Sequence, residues 1–237
     1  MSQGNANTDN PPGPGKLSLL KETAIIVVSA LVLSWIIKTF LVQAFYIPSS
    51  SMEDTLQVND RILVSKMTPT VFDINRGDIV VFTDPGGWLD GYVTQDTPGQ
   101  NAVRSVLTFI GILPQDAGNH LVKRVIGLPG DTVVCCDADG NLTVNDEPIV
   151  ESYLKDGVAP SAVDFDVVVP DDALWVLGDN RSDSGDSRYN MGKPGGGFVP
   201  VDNVVGTAFV TMWPFDRLTW LGNPEEVFDN VPAPAGK

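Results

Sequence analysis

The sequence predicts a mainly β domain behind one N-terminal membrane-spanning helix. Three observations carry that prediction. An apolar run occupies residues 23–47, and its only charge is Lys38. No long stretch after residue 50 repeats its apolar residues every 3.6 positions. In its place come short β-branched runs bounded by Gly, Pro, Asn and Asp, the signature of strands and turns. With 237 residues and a 43% hydrophobic content, the chain can supply one core and a small satellite.

Residues 1–15 (MSQGNANTDNPPGPG) are small, polar and broken by Pro and Gly, so a disordered tail is expected there, the non-membrane segment reaching residue 22. Thr23–Ile37 spans only about 22 Å as a helix, short of a hydrocarbon core of roughly 30 Å. Continuing to Phe45 gives about 34 Å, provided Lys38 snorkels to the interface. The expected span is therefore 23–45, with the lipid bilayer as partner and Trp35, Phe45 and Tyr46 near an interface. Lys16 and Lys21 favour a cytoplasmic tail, although Lys38, Arg61 and Lys66 on the other side weaken that vote. A cleaved secretory signal is the rival reading, since Val42-Gln43-Ala44 fits a small-x-small cleavage pattern; Lys38 and the bulky Phe45 fit it poorly. After residue 47 the chain carries 12 basic and 28 acidic residues, so the helix, more than charge, would hold this domain at a membrane.

The remaining elements follow in order as strands at Asp60–Lys66, Asp78–Phe82, Leu121–Ile126, Thr132–Cys136, Leu142–Val144, Asp166–Val169, Ala173–Leu177 and Asn203–Met212. Asp137–Asn141 joins two of them as a hairpin-like turn. It is not a calcium loop, because the Gly falls at position 4 instead of 6 and Pro148 occupies position 12. Residues 83–119, rich in Gly, Pro and Gln, read as a long surface insertion, whose apolar patch Val106–Leu113 has two readings, membrane contact or packing down, with packing favoured.

Composition excludes several function classes. A net charge of −15 leaves no basic stripe to neutralise phosphates, so nucleic acid is not an expected partner. One His and two adjacent Cys are a poor ligand set, so a zinc site of three or four protein ligands is not expected. Cys135-Cys136 lacks the two-residue spacer of a redox motif and reads as two small residues in a strand. His120 has no Gly-x-Ser-x-Gly elbow to serve.

Two features carry possible chemistry. Pro48-Ser49-Ser50-Ser51-Met52 puts three serines between the apolar run and a strand; alone, it is equally a polar turn leaving the bilayer. In Leu121–Ile126, strand alternation sets Lys123 and Arg124 on opposite faces, so one basic residue should sit among apolar neighbours. A desolvated Lys can lose its proton and become a base, whereas Arg stays charged. A Ser nucleophile activated by neutral Lys is a known variant of the catalytic triad. A third segment, Gly178–Arg188, is chemically a loop of Asx and Ser turns.

Taken in order, these segments resemble the boxes of the bacterial type I signal peptidases, the Ser/Lys membrane proteases of the peptidase S26 family. The resemblance rests on Pro48-Ser-Ser-Ser-Met52 with Thr55-Leu56, on Arg76-Gly-Asp-Ile-Val-Val-Phe82, on Lys123-Arg-Val-Ile-Gly-Leu-Pro-Gly-Asp131, and on Gly178-Asp-Asn-Arg with Asp186-Ser-Arg188. It implies an antiparallel β catalytic core over 46–237 with a small β subdomain inserted at about 131–172. It implies Ser51 as nucleophile, Lys123 as general base, Ser49 as side-chain oxyanion donor and Ser184 as the serine that orients the lysine. Asp179, Asn180, Arg181, Asp186 and Arg188 would shape the supporting loop. Phe45, Ile47, Met52, Leu56, Val81, Leu121 and Val122 would line pockets for small residues at −1 and −3. By the same resemblance the enzyme removes signal peptides from exported preproteins without metal or cofactor. It would be single-pass in the plasma membrane, with a cytoplasmic N-terminus and an extracytoplasmic catalytic domain. The chain departs from the family pattern at Ser50 (often Gly), Asp54 (usually Pro), Asn59 (usually Gly) and Ser182-Asp183 (more often Asp-Asn).

Overall fold

The apolar run forms α1 (Lys16–Ile36), passes through a π-helical turn (Ile37–Leu41) and straightens into β1 (Val42–Tyr46). The computed structural model describes residues 16–89, 120–155 and 157–234. Within it, Leu19–Leu41 is a 23-residue helical stretch that lies outside the protein core and is long and apolar enough to cross a membrane. The expected 1–22 tail and 23–45 span therefore shift. Residues 16–22 are already helical, and Val42–Phe45 leave the helix. The cause is backbone pairing: Val42–Tyr46 runs antiparallel to β2 (Arg61–Ser65) in unbroken register, and this buries Phe45. Residues 1–15 lie outside the described residues.

The extended runs assemble into two antiparallel sheets. The larger has the order β1-β2-β11-β3-β4-β9-β10, with β12 on the side of β11. Its strands are β3 (Ile79–Thr83), β4 (His120–Gly127), β9 (Ala173–Leu177), β10 (Val199–Pro200), β11 (Val204–Trp213) and β12 (Thr219–Trp220). The smaller sheet is inserted in the chain between β4 and β9. It has the order β7-β6-β5-β8, from β5 (Thr132–Cys135), β6 (Leu142–Val144), β7 (Glu147–Ile149) and β8 (Phe165–Val168). A short helix, α2 (Glu225–Phe228), packs its Val227 and Phe228 into the core.

One cluster ties the sheets together. Trp175 of β9 is fully buried and packs against Phe165 of β8 and Phe198, with ring centroids 5.3 Å from each. Gly127, where β4 leaves the large sheet, makes this junction possible, because a Cβ there would lie 2.6 Å from Val133 Cγ2. Any larger residue would force the sheets apart.

Four strands escape a sequence reading. β1 is hidden in the apolar run, and β7, β10 and β12 are two or three residues long, too short to display a period. The Cys135-Cys136 expectation is corrected: the two are joined in a disulfide, so they are not free small residues. In the turn that follows, Asp137 Oδ1 accepts the N–H groups of Asp139 and Asn141, which is why the chain reverses there. Of the 83–119 insertion, Thr83 belongs to β3 and Asp84 organises the next turn by accepting the N–H groups of Gly86, Trp88 and Leu89. Residues 90–119, with the apolar 106–113 patch, lie outside the described residues.

Candidate active site

Three segments meet at one end of the large sheet. The first is the serine loop between β1 and β2. Its ends are clamped by Ile47 N–H to Asp60 O and Asn59 N–H to Ile47 O, both 2.9 Å. Met52 and Leu56 are fully buried and anchor the loop in a cluster with Phe45, Ile47, Ile62, Ile79 and Val81. The apolar anchors hold the turn inward, which leaves Ser49 at the surface and buries Ser51 beside Met52. Asn59 and Asp54 adopt left-handed conformations, φ 77° and 81°. The first explains why Gly suits position 59, and the second is a conformation that Pro cannot take.

The second segment is β4. Pairing of Val80 with Lys123 and Val81 with Val122 sets the strand against β3. Lys123 is only 3% exposed, and its Nζ lies 2.5 Å from Ser51 Oγ. Ser49 Oγ is 3.3 Å from the same Ser51 oxygen. Burial pushes the Lys123 ammonium down to about 8, against the opposing pull of Asp186 and Asp179, with smaller contributions from Arg188 and Asp183. The expectation that one of Lys123 and Arg124 is buried is corrected, since both are. Arg124 remains charged because its guanidinium forks onto Asp179 at 2.8 and 2.6 Å, donates to Gly77 O at 2.7 Å, and lies 4.1 Å over the Tyr153 ring. Lys123 instead meets a serine hydroxyl, so desolvation acts on it with less compensation.

The third segment, Gly178–Arg188, is rigidified by buried charge. Arg188 forks onto Asp186 at 2.8 and 2.7 Å, with both side chains fully buried, and Asp186 also accepts Gly178 N–H at 3.0 Å. Arg181 forks onto Glu151 of the inserted subdomain and donates to Gly178 O and Pro160 O. Asp179 binds Thr55 Oγ1 at 2.5 Å as well as Arg124, tying this loop to the serine turn. Asn180 completes the tie: its N–H donates to Ser51 O at 3.2 Å and its Nδ2 to Ser50 O at 3.1 Å.

Most of the sequence-predicted site residues thus converge. Two do not behave as expected. Ser184 is buried beside Gly178, but its Oγ has no hydrogen-bond partner among the described residues, so the expected bond to Lys123 is not made. Leu121 packs with Val80, Phe82 and Val125, a cluster separate from that of Phe45, Ile47, Met52, Leu56 and Val81. Val122, one residue on, is the member of β4 that joins the Phe45 cluster, because side chains alternate along a strand. The His120 ring lies 5.2 Å from that of Phe45, at the edge of the same region. Glu151 and Tyr153 were not legible as site residues, since they arrive from a loop of the inserted subdomain that carries no local signal. Among the described residues, no group of three or more His, Cys, Asp or Glu side chains is arranged to hold a metal.

Known proteins resemble this chain over most of its length. The family model for signal peptidase, peptidase S26, matches residues 20–213. The signal peptidase I of Mycobacterium tuberculosis is 40% identical, over 90% of this chain and 78% of its own. A probable signal peptidase I of Mycobacterium leprae is 38% identical over 89% and 82%, and signal peptidase I U of Bacillus subtilis is 31% identical over 90% and 97%. Among solved structures, a signal peptidase I from Enterococcus faecalis is 27% identical, covering 57% of this chain and 96% of that one with a TM-score of 0.36.

Proposed function

The chain belongs to the signal peptidase family, peptidase S26, and on that premise we propose that it is a membrane-anchored serine endopeptidase with Ser51 as nucleophile and Lys123 as general base. Its substrates are exported preproteins, from which it removes N-terminal signal peptides after small residues at −1 and −3. The observation that carries this reading is a buried lysine, its ammonium pushed down to about 8, whose Nζ stands 2.5 Å from a serine hydroxyl. A lysine of that kind is neutral in a useful fraction near neutral pH and can take a proton that an ordinary lysine cannot.

The chemistry follows from the positions of these groups. An extended substrate adds along the site as a strand, its backbone giving affinity and its small side chains giving register. Ser51 Oγ attacks the carbonyl of residue −1 while Lys123 takes the hydroxyl proton. The new oxyanion lies toward Ser49 Oγ and the Ser51 N–H. Losing one such donor typically costs about 2.7–4 kcal/mol of transition-state stabilisation. The lysine then protonates the departing amine, and a water activated by the same lysine hydrolyses the ester. Phe45, Ile47, Met52, Leu56, Val81 and Val122 supply the apolar wall that favours small residues, whereas Leu121 is turned into the neighbouring core. Ser184 packs on Gly178, which also faces the Ser51 carbonyl, and its hydroxyl takes up the orienting bond to Lys123 when substrate excludes water.

The Leu19–Leu41 helix confines the domain near substrates that are themselves membrane-held, which raises their effective concentration. In this reading the N-terminus is cytoplasmic and the β domain lies outside the plasma membrane. The test is cleavage of a preprotein with an Ala-x-Ala site by the detergent-purified full chain, beside Ser51→Ala and Lys123→Ala. A cut after the second Ala that disappears in both variants is the expected result. Cleavage that persists in either variant would overturn the role assigned to that residue.

A further inference from the structure

The serine loop and the Gly178–Arg188 loop are joined by more than Asn180. Ser50 Oγ donates to Asp183 Oδ2 at 2.5 Å across 133 residues of sequence. Ser50 sits between Ser49 and Ser51, so it joins the residue whose side chain and the residue whose N–H would hold an oxyanion. Asn180 already holds the carbonyls of Ser50 and Ser51. The Ser50 carbonyl also accepts the Glu53 N–H at 2.9 Å, and the bond through the Ser50 side chain adds an anchor at the residue itself.

We propose that Ser50 and Asp183 form a positioning pair that fixes the oxyanion side of the active site. The proposal rests on the peptidase reading above. Neither residue touches the reacting atoms; both act through the peptide units flanking Ser51. With Gly at 50 no such link exists, and with Ala at either position the two loops keep the Asn180 and Thr55–Asp179 ties but lose the one made at Ser50 itself. Asp183 also contributes charge. The groups that bear on Lys123 are Asp186 and Asp179, which favour its protonated form, Arg188, which opposes it, and Asp183, which favours it. Removing the Asp183 charge therefore moves Lys123 further down, in the direction that burial already takes it.

The test uses the full-length protein and preprotein cleavage kinetics across pH. On the alkaline plateau, where Lys123 is neutral in every variant, Ser50→Ala and Asp183→Ala each lower kcat by about tenfold with KM little changed. The double variant is no slower than either single one, because one bond has been removed in all three. Asp183→Asn keeps most of the plateau kcat, since its amide oxygen still accepts the Ser50 hydroxyl. Both Asp183 variants move the acid limb of kcat/KM to lower pH, whereas Ser50→Ala leaves it in place. Additive losses, plateau rates equal to wild type, or an Asp183→Asn variant as slow as Asp183→Ala would overturn the pair. Ser51→Ala and Lys123→Ala are measured alongside. If they are inactive and the pair variants match wild type, only the pair fails; if they remain active, the peptidase reading and the pair fail together.

Discussion

Replacing Gly178 by Ala should damage the site without unfolding the protein. A Cβ at 178 would lie 2.6 Å from Ser184 Cβ, and nearer still to the carbonyl oxygen of Ser51 and to Ser184 Oγ. Carbon atoms pack at about 3.5 Å or more, so the facing groups must retreat by roughly 1 Å. Ser184 Oγ can rotate away. The Ser51 carbonyl cannot, because it belongs to the backbone and is held by Asn180 N–H. The displacement therefore falls on the residue that carries the nucleophile. A misplacement of that size costs on the order of 100-fold in rate, or about 2.7 kcal/mol of activation free energy. The assay is kcat/KM for preprotein cleavage at fixed pH, with circular dichroism and thermal unfolding as checks on the fold. Gly185→Ala is the control, because a Cβ there meets nothing within 4 Å. A Gly178→Ala enzyme within threefold of wild type, while Gly185→Ala is also unaffected, would refute the close approach of the two loops.

Three further outcomes are expected. Lys123→Met abolishes cleavage but raises stability at pH 7. The folded lysine titrates near 8 and the unfolded one at 10.5, so below pH 8 the wild type carries the full cost of burying a charge. That cost is on the order of 3 kcal/mol and fades as pH rises from 8 through 10.5; denaturation of both proteins at pH 7 and 10.5 reads the difference. Asn59→Gly should be more stable than Asn59→Ala by about 1 kcal/mol, because both lose the acceptor for the Tyr46 hydroxyl but only Gly keeps φ 77° without strain; urea midpoints decide it. Glu151→Ala leaves Arg181 buried without its carboxylate and should cost about 3–5 kcal/mol, whereas Glu151→Met with Arg181→Met costs less, as chemical denaturation would reveal.

The large features of the fold were legible because each had a local cause. The apolar run, the alternating strands β2, β4, β5 and β11, and the Asp137 turn announce themselves through period or side-chain chemistry. The boundary at Val42 did not, since an apolar strand following an apolar helix has no compositional edge, and only the pairing of Val42–Tyr46 with Arg61–Ser65 decides it. In the site, Ser51 and Lys123 were found through the resemblance, and the spacing alone left each open to a structural role. The two-faced character of β4 was half visible. Alternation separates Lys123 from Arg124, but that both are buried depends on Asp179, which lies 55 residues on from Arg124. Glu151, Tyr153 and the Ser50–Asp183 contact were illegible for the same reason: each is a pairing between distant segments, fixed only once the sheets have formed.

The pH dependence of kcat/KM for preprotein cleavage by the full chain tests the central claim most directly, that neutral Lys123 is the base for Ser51. Activity should rise with pH along an acid limb whose midpoint lies near 8, following loss of the Lys123 proton. A rate that stays level from pH 5 to pH 9 would contradict it, because a lysine that must shed a proton before it acts cannot be indifferent to that range.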